Sequence, residues 1–441
     1  MANIFFISLG CDKNRIDSEI MLKKLSDGGH SIVGEIEQAD CAVVNTCGFI
    51  ESAKAEAIEA IFDMVNAKKS GAIKSVVVTG CLAQRYQQEL HTLIPEVDAV
   101  IGLCGNADIL NVVNRSLEGK STLCFGAPEE LIVCAERLLS TPPHYAYIKI
   151  AEGCSNHCTY CAIPSIRGSY RSRPTDEIVG EARGLVRDGV RELIVIAQDT
   201  TSYGKDLSNG ESLSSLLKEL SKIDGIFKIR VLYAYPDRIT DELIDTIARE
   251  DKIAKYLDIP FQHANKEVLK RMGRFGDREV LLSLIDKIRQ RIPDITLRST
   301  FIVGFPGETQ EQFAELVDFI KAARLDRAGC FEFSPEEGTA AVKLSPEIDD
   351  ETKAKRADDF RFTQTEIMLA KNEEKVERTL TVICDGFDEE RGMFACRGEW
   401  DAPDVDSLIF VPLESDLCVG EIYEIKITGV DEFDLLGEVV D

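Results

Sequence analysis

Three cysteines spaced Cys154-x3-Cys158-x2-Cys161, in the stretch EGCSNHCTYC, constrain this 441-residue chain more than any other feature. Three unrelated buried cysteines so close together would be unusual. A four-iron cluster fits, because each thiolate meets a different iron and the fourth iron keeps an open position for a substrate or cofactor. Zinc fits less well. It takes four ligands, typically from paired C-x2-C units, and no second pair follows. A second group, Cys11, Cys47 and Cys81, is dispersed along the chain, but each member directly follows a predicted strand, so the three can meet in space. On the residues alone, that second group reads equally well as small buried core cysteines.

The region 1–137 alternates strands and helices. NIFFISLG, CAVVNT, SVVVTG and AVIGL are short and almost continuously apolar, as buried parallel strands are. Between them lie helical stretches such as DSEIMLKKLSDGG, with Gly28 and Gly29 as the stop. The pattern predicts a doubly wound α/β domain, whose ligands sit beyond the carboxyl ends of the strands. Cys11, Cys47 and Cys81 lie at those ends. LLSTPPHY, with Pro142 and Pro143, reads as a linker.

The region 138–371 alternates again, with strand candidates AYIKIAEG, ELIVIAQD, KIRVLYAY, YLDIPFQ, TLRSTFIVG and RAGCFEFS. Helices between them include TDEIVGEARGLVRDG, TDELIDTIARE and TQEQFAELVDFIKAARL. Six such units predict an open, partial (β/α)6 barrel with functional residues at the strand ends. A long charged helix, DDETKAKRADDFRFTQTEIMLAKNEEKV, leads out of it. The region 372–441 holds short strands separated by turns, the pattern of a small all-β barrel. The overall class is α/β with three domains.

No apolar run approaches membrane-spanning length, so no membrane association is expected. The apolar start MANIFFISLG lacks a basic leader and reads as a buried first strand. A cytoplasmic protein is expected, where fourteen cysteines argue for metal or catalytic thiols over disulfides. The net charge is −26, and the last 70 residues carry 5 basic against 20 acidic side chains, a net of −15. Such a segment repels nucleic acid and attracts a basic partner; the plainer reading is a solvated surface that aids solubility.

The stretch EGCSNHCTYCAIPSIRGSYRSRP resembles the signature of radical S-adenosylmethionine enzymes. The resemblance implies a [4Fe-4S] cluster on Cys154, Cys158 and Cys161, whose open iron binds the amino and carboxylate groups of S-adenosyl-L-methionine. It places Tyr160 near the adenine. The Gly-Gly-Glu common after the second strand of that superfamily is replaced here by AQDTTSYG, with Gln198 and Asp199 in the equivalent place. STFIVGFPGET, with Gly304, Gly307 and Glu308, resembles the later glycine-rich cofactor strand. Gln262 and His263 stand at another strand end; Gln262 joins the cofactor contacts, while a lone His there is more often structural. Arg167, Arg171 and Arg173 follow the cysteine loop and would either steer an anionic substrate group or be simple surface arginines. Cys41, Cys104, Cys124, Cys134, Cys330, Cys384, Cys396 and Cys418 show no ligand spacing and read as buried or inert. Trp400 is core or interface.

LGCDKNRIDSE, VNTCGF and VTGCLAQRY resemble the three cysteine motifs of the methylthiotransferase amino-terminal domain, and the terminal barrel resembles a TRAM module. The resemblance implies a second [4Fe-4S] cluster on Cys11, Cys47 and Cys81, whose open iron carries the sulfur to be transferred. One branch of this family methylthiolates an adenosine beside the tRNA anticodon. The other methylthiolates an aspartate β-carbon in ribosomal protein twelve of the small subunit. Asp-Lys-Asn follows Cys11, where the tRNA branch typically has Gln-Met-Asn. The acidic terminal barrel opposes phosphate contacts and suits a lysine- and arginine-rich protein. DEFDLLGEVV and DAPDVDSLIF also resemble the protein branch.

That branch implies three partners: ribosomal protein twelve, an electron donor and a sulfur source. tRNA is not expected. It also implies that one S-adenosylmethionine methylates the cluster-held sulfur and a second is cleaved to a radical that removes hydrogen from the aspartate β-carbon. An unactivated C–H bond offers no acidic proton to a base, so cofactor radical chemistry is required. Two other classes make different predictions. A non-catalytic ribosome-associated redox module would cleave no cofactor, and a zinc protein would hold zinc without acid-labile sulfide.

Overall fold

The computed structural model describes residues 1–128, 131, 136–208 and 210–440. The chain divides into two compact units. Met1–Ser140, Ala151–Arg171 and Ser334–Val342 form the first; Thr141–Ile150, Ser172–Phe333 and Lys343–Asp441 form the second.

The first unit is built on six parallel strands: β1 (Asn3–Ser8), β2 (Ser31–Val33), β3 (Cys41–Thr46), β4 (Ser75–Gly80), β5 (Ala99–Ile101) and β6 (Thr122–Cys124). Their order is β2-β1-β3-β4-β5-β6. Helices α1 (Asp12–Asp27), α2 (Glu51–Lys69), α3 (Cys81–Leu93) and α4 (Ile109–Leu117) connect them. Every residue of β3 and β4 is buried, as their unbroken apolar runs require when helices cover both faces. The chain leaves β1 for β2 on one side and crosses to β3 on the other, so the topological switch point lies between β1 and β3. α1 ends at Gly28 and Gly29, and Gly29 adopts φ +85°. The short helix α5 (Ile163–Arg167) follows the second cysteine loop within this unit.

The next strands in chain order are β7 (Tyr145–Lys149), the two-residue β8 (Ala151–Glu152) and β9 (Arg171–Ser172), β10 (Glu192–Ile196), β11 (Lys228–Val231), β12 (Tyr256–Asp258), β13 (Thr296–Val303) and β14 (Arg327–Glu332). In the second unit, β7-β10-β11 and β12-β13-β14 form parallel sheets, and a parallel bridge between Ile229 and Ile253 joins the two. This is the expected partial barrel. Its helices are α6 (Thr175–Arg187), α7 (Leu213–Ser221), α8 (Asp241–Arg249), α9 (Lys266–Met272), α10 (Arg278–Arg291), α11 (Gln310–Ala323) and the long α12 (Asp350–Glu373). β11 and β12 are shorter than the apolar runs suggest. Tyr233, two residues beyond β11, takes left-handed backbone at φ +61°, and Pro260, which has no N–H to donate, stands two residues beyond β12.

The C-terminal segment closes into a five-stranded barrel from β15 (Thr379–Asp388), β16 (Met393–Gly398), β17 (Ile409–Pro412), β18 (Ile422–Asp431) and β19 (Asp434–Val439), in the order β15-β16-β17-β19-β18. Trp400 is 8% exposed and belongs to its core with Val382, Ile409 and Ile425. This barrel packs on the amino-terminal ends of the partial-barrel strands, opposite to Gln198, Gln262 and Gly304. Arg327, the first residue of β14, bonds Asp401 at 2.7 Å, and Tyr256, the first of β12, bonds Asp406 at 2.6 Å. Lys228 and Arg191 pair with Glu399 and Glu421.

The net charge of the segment therefore overstates its free acidity. Asp401, Asp406, Glu399 and Glu421 face Arg327, Arg298, Lys228 and Arg191 of the partial barrel. Glu389, Glu390, Glu414, Glu424 and Glu438 remain exposed. No helix among the described residues is long and apolar enough to cross a membrane.

Candidate active site

Cys11, Cys47 and Cys81 lie just past the carboxyl ends of β1, β3 and β4, three neighbouring strands whose residues align Ser8 with Asn45 and Thr46 with Gly80. Neighbouring strands are about 4.8 Å apart, so this order brings the three cysteines together at the switch point. Their thiols are close enough for the charges of Cys11 and Cys47 to bear on Cys81. Cys11 caps α1 and Cys81 opens α3, so two helix N-termini offer positive dipole ends to thiolates. Cys11 is exposed, Cys47 half-buried and Cys81 5% exposed. Burial pushes the Cys81 thiol up to about 12, against the pull of the Arg167 guanidinium. Burial also raises Cys47.

Glycine keeps the backbones close here. At Gly10, with φ +89°, a Cβ would stand 2.8 Å from the Cys47 Cβ, and at Gly80, with φ +98°, 2.4 Å from the Thr46 carbonyl. A polar scaffold lies beneath. The Asn45 amide donates to Ser18 Oγ at 2.7 Å and to the Asn14 carbonyl at 3.0 Å, and the Asn14 amide donates to the Leu9 carbonyl at 2.7 Å.

The second triad lies on the loop 153–162 of the same unit. The Cys154 N–H donates to the Gly168 carbonyl at 3.0 Å, and the Cys161 N–H to the Cys158 carbonyl at 3.2 Å. Cys154 is 8% exposed, while Cys158, Cys161 and Tyr160 are half-buried. Gly153, at φ +76°, allows the loop to turn where a Cβ would meet the Ser169 carbonyl at 2.2 Å. Among the described residues, no three His, Cys, Asp or Glu side chains converge on a single metal ion. A cubane asks for something different, since its ligands stand apart on separate irons. Three thiols at adjacent strand ends, and three on one tight loop, both suit that donor set.

The reading of Arg167 and Arg173 as surface arginines does not hold. Arg167 is 1% and Arg173 3% exposed. Arg167 bonds Glu152 at 3.2 Å, Asp17 at 2.9 Å and Cys81 Sγ at 3.5 Å, while Arg173 pairs with Glu181 at 2.7 Å. Arg171 is half-buried and donates to the Pro128 carbonyl. The local sequence does not mark Arg167 as buried, because its Asp17 and Cys81 partners come from distant parts of the chain.

A strap at 334–342 returns to the first unit. There Glu336, 2% exposed, accepts from Arg85 at 2.7 Å and pairs with Lys54 at 3.2 Å.

In the second unit, Gln198 follows β10, Gln262 follows β12, and Gly304, Gly307 and Glu308 follow β13. The Gln262 N–H donates to the Thr300 carbonyl, and its own carbonyl accepts from Ile302, both at 2.8 Å. Both Glu308 oxygens are engaged. Oε1 faces His263 Nε2 at 3.1 Å, and Oε2 accepts from the Gly304 N–H at 2.5 Å and from Arg356 at 2.8 Å. His263 Nδ1 accepts from the Asn265 N–H at 2.9 Å, so the proton sits on Nε2 and the ring is a structural link. Asp199, 1% exposed, accepts from Thr201 and Ser202 and pairs with Arg238.

Of the remaining cysteines, Cys41 and Cys330 are buried thiols pushed up to about 11 and about 12. Cys384 and Cys396 face each other in the barrel core. Cys104 and Cys124 are half-buried and Cys418 is exposed. Cys134 lies outside the described residues.

Comparison with known proteins agrees with this arrangement. Residues 148–320 match the radical SAM superfamily, 3–102 the uncharacterized protein family UPF0004, and 376–440 the TRAM domain. A solved radical S-adenosylmethionine methyltransferase, TsrM from Kitasatospora setae, superposes with a TM-score of 0.56 at 14% identity, covering 77% of this chain and 76% of that one. That likeness is one of fold. The radical SAM, UPF0004 and TRAM matches along one chain define a radical S-adenosylmethionine methylthiotransferase.

Two relatives carry the name ribosomal protein uS12 methylthiotransferase RimO. The protein from Clostridioides difficile (strain 630) is 45% identical, covering 100% of this chain and 99% of its own length. That from Lachnoclostridium phytofermentans is 46% identical, covering 98% and 99%. The chain belongs to the RimO family.

Proposed function

We propose that this enzyme methylthiolates the β-carbon of an aspartate in ribosomal protein uS12, the protein called ribosomal protein twelve above. The observation that carries the reading is identity near 45% over essentially the whole chain to proteins named for that activity. The exposed acidic side chains of the C-terminal barrel support a basic protein partner over a polyphosphate.

In this reading the chain comprises 1–137, 138–371 and 372–441 as sulfur-carrying, radical and docking domains, and it works in the cytoplasm. Cys11, Cys47 and Cys81 hold one [4Fe-4S] cluster, and Cys154, Cys158 and Cys161 hold the other. When bound, these clusters and S-adenosyl-L-methionine supply methyl transfer and the one-electron chemistry that an unactivated carbon requires. The residues of the chain hold and orient. Tyr160 offers a ring face beside the second cluster loop. Gln198 and Gln262 line the carboxyl ends of the barrel strands. The left-handed turns at Gly304 and Gly307 would offer backbone to the cofactor, and Glu308 holds that turn through the Gly304 N–H, His263 and Arg356. No side chain is assigned as an acid or base.

The test is a mass assay on anaerobically reconstituted enzyme with S-adenosylmethionine and a reductant, offering uS12 and unmodified tRNA side by side. A methylthio gain on an aspartate of uS12 alone is expected. A gain on tRNA alone moves the enzyme to the adenosine-modifying branch.

A further inference from the structure

Arg167 occupies an unusual position for an arginine. Its side chain is 1% exposed, and it reaches Cys81 of one cysteine group and Glu152 at the neck of the loop that carries the other. On one side it closes the neck of the second cysteine loop. It lies six residues beyond Cys161 and bonds both oxygens of Glu152, two residues before Cys154, at 3.2 Å each. The Cys154 N–H to Gly168 carbonyl bond seals the same neck. On the other side, Nη2 donates to Asp17 Oδ2 at 2.9 Å and to Cys81 Sγ at 3.5 Å. Asp17, Glu152 and Cys81 are 4%, 0% and 5% exposed.

The two carboxylates orient the planar fork and leave one N–H aimed at sulfur. A lysine, with a single point of charge, cannot span acceptors on two sides in this way. An N–H donor on a ligating sulfur withdraws charge from it, favours the reduced cluster and raises the reduction potential.

We propose that Arg167 is a positioning residue that raises the reduction potential of the cluster on Cys11, Cys47 and Cys81 through its hydrogen bond to the Cys81 sulfur, from an anchor on the neck of the second cysteine loop. The proposal rests on the two-cluster reading above. It makes the first cluster's potential depend on the loop that carries the second.

The test uses the full chain with Cys154, Cys158 and Cys161 replaced by alanine, so that only the first triad holds iron. Iron and sulfide are counted, and the midpoint potential is then read by EPR-monitored titration with Arg167 intact, with R167Q and with R167K. The expected result is a full four-iron load in all three, a more negative potential in R167Q and a smaller shift in the same direction in R167K. An unchanged potential at full load overturns the role of Arg167. An iron-free parent overturns the two-cluster reading, and this proposal with it. If R167Q yields no soluble protein, R167K decides by the same criterion.

Discussion

Arg397 Nη1 stands 2.7 Å from Glu192 Oε2, and neither side chain is more than 2% exposed. Arg397 belongs to β16 of the C-terminal barrel, and Glu192 opens β10 of the partial barrel. Arg230 adds a second cation to Glu192 at 2.9 Å, and Asp385 a second anion to Arg397 at 2.9 Å. Asp385 in turn meets His144 at 2.8 Å. The terminal barrel is therefore locked onto the bottom of the partial barrel by buried charge, and its acidic outer surface is held in a fixed position.

Breaking that lock leaves a buried cation without its partner. E192Q is expected to cost about 3 kcal/mol of unfolding free energy, the lower end of what such an unpaired charge costs. Urea denaturation of the iron-free chain, followed by circular dichroism, measures it. A loss within experimental error of zero would mean that the network tolerates the missing charge.

The two cysteine groups should load independently. C81A and C161A are each expected to halve the iron and acid-labile sulfide per chain, and the double variant to abolish both. C41A and C330A, whose buried thiols the proposal gives no ligand role, should keep the full load. Colorimetric iron and sulfide assays on reconstituted protein separate these outcomes.

Glu308 tests the proposed cofactor role of the Gly304–Gly307 turn without touching a cysteine. Replacing one charged acceptor by an amide weakens its bonds to Arg356 and the Gly304 N–H, each charge-assisted bond being worth about 1.5–3 kcal/mol. E308Q is expected to weaken S-adenosylmethionine binding roughly tenfold, the equivalent of about 1.4 kcal/mol, as read by calorimetry. Cluster content should stay unchanged.

Glu336 gives the first unit a pH dependence. Burial works against its carboxylate, but hydrogen bonds from Ser334, Arg85 and Lys54 outweigh it and hold the carboxyl below its usual range. The folded chain thus binds fewer protons at this group than the unfolded chain. The resulting stability is present above the ordinary glutamate pKa of about 4.3 and is lost as pH falls through the lower folded value. The melting temperature of the iron-free chain should drop more steeply on acidification than that of E336Q. E336Q should also melt lower at neutral pH, because Arg85 and Lys54 lose their counter-charge.

Much of this architecture is legible in short stretches. CAVVNT and SVVVTG are continuous apolar runs and became the fully buried β3 and β4. TDELIDTIARE became α8, with Thr240 as its cap. KIRVLYAY misled at its end, because the left-handed turn at Tyr233 has no local marker such as glycine, whereas Pro260 already marked the shortening of YLDIPFQ. The −15 of the last 70 residues was legible as composition. Which carboxylates stay free was not, since four of them meet cations more than 70 residues away.

The sequence by itself determined the two cysteine groups, the alternation that makes a parallel sheet and a partial barrel, and the acidic terminal segment. These follow from spacing and periodicity, which are local. Only the tertiary structure decided that β1, β3 and β4 are neighbours, which brings Cys11, Cys47 and Cys81 together. It alone decided that Arg167 is buried between Glu152, Asp17 and Cys81, and that Glu308 turns inward to His263 and Arg356. A charged side chain is buried only where the fold delivers its partners, and Asp17 stands 150 residues from Arg167.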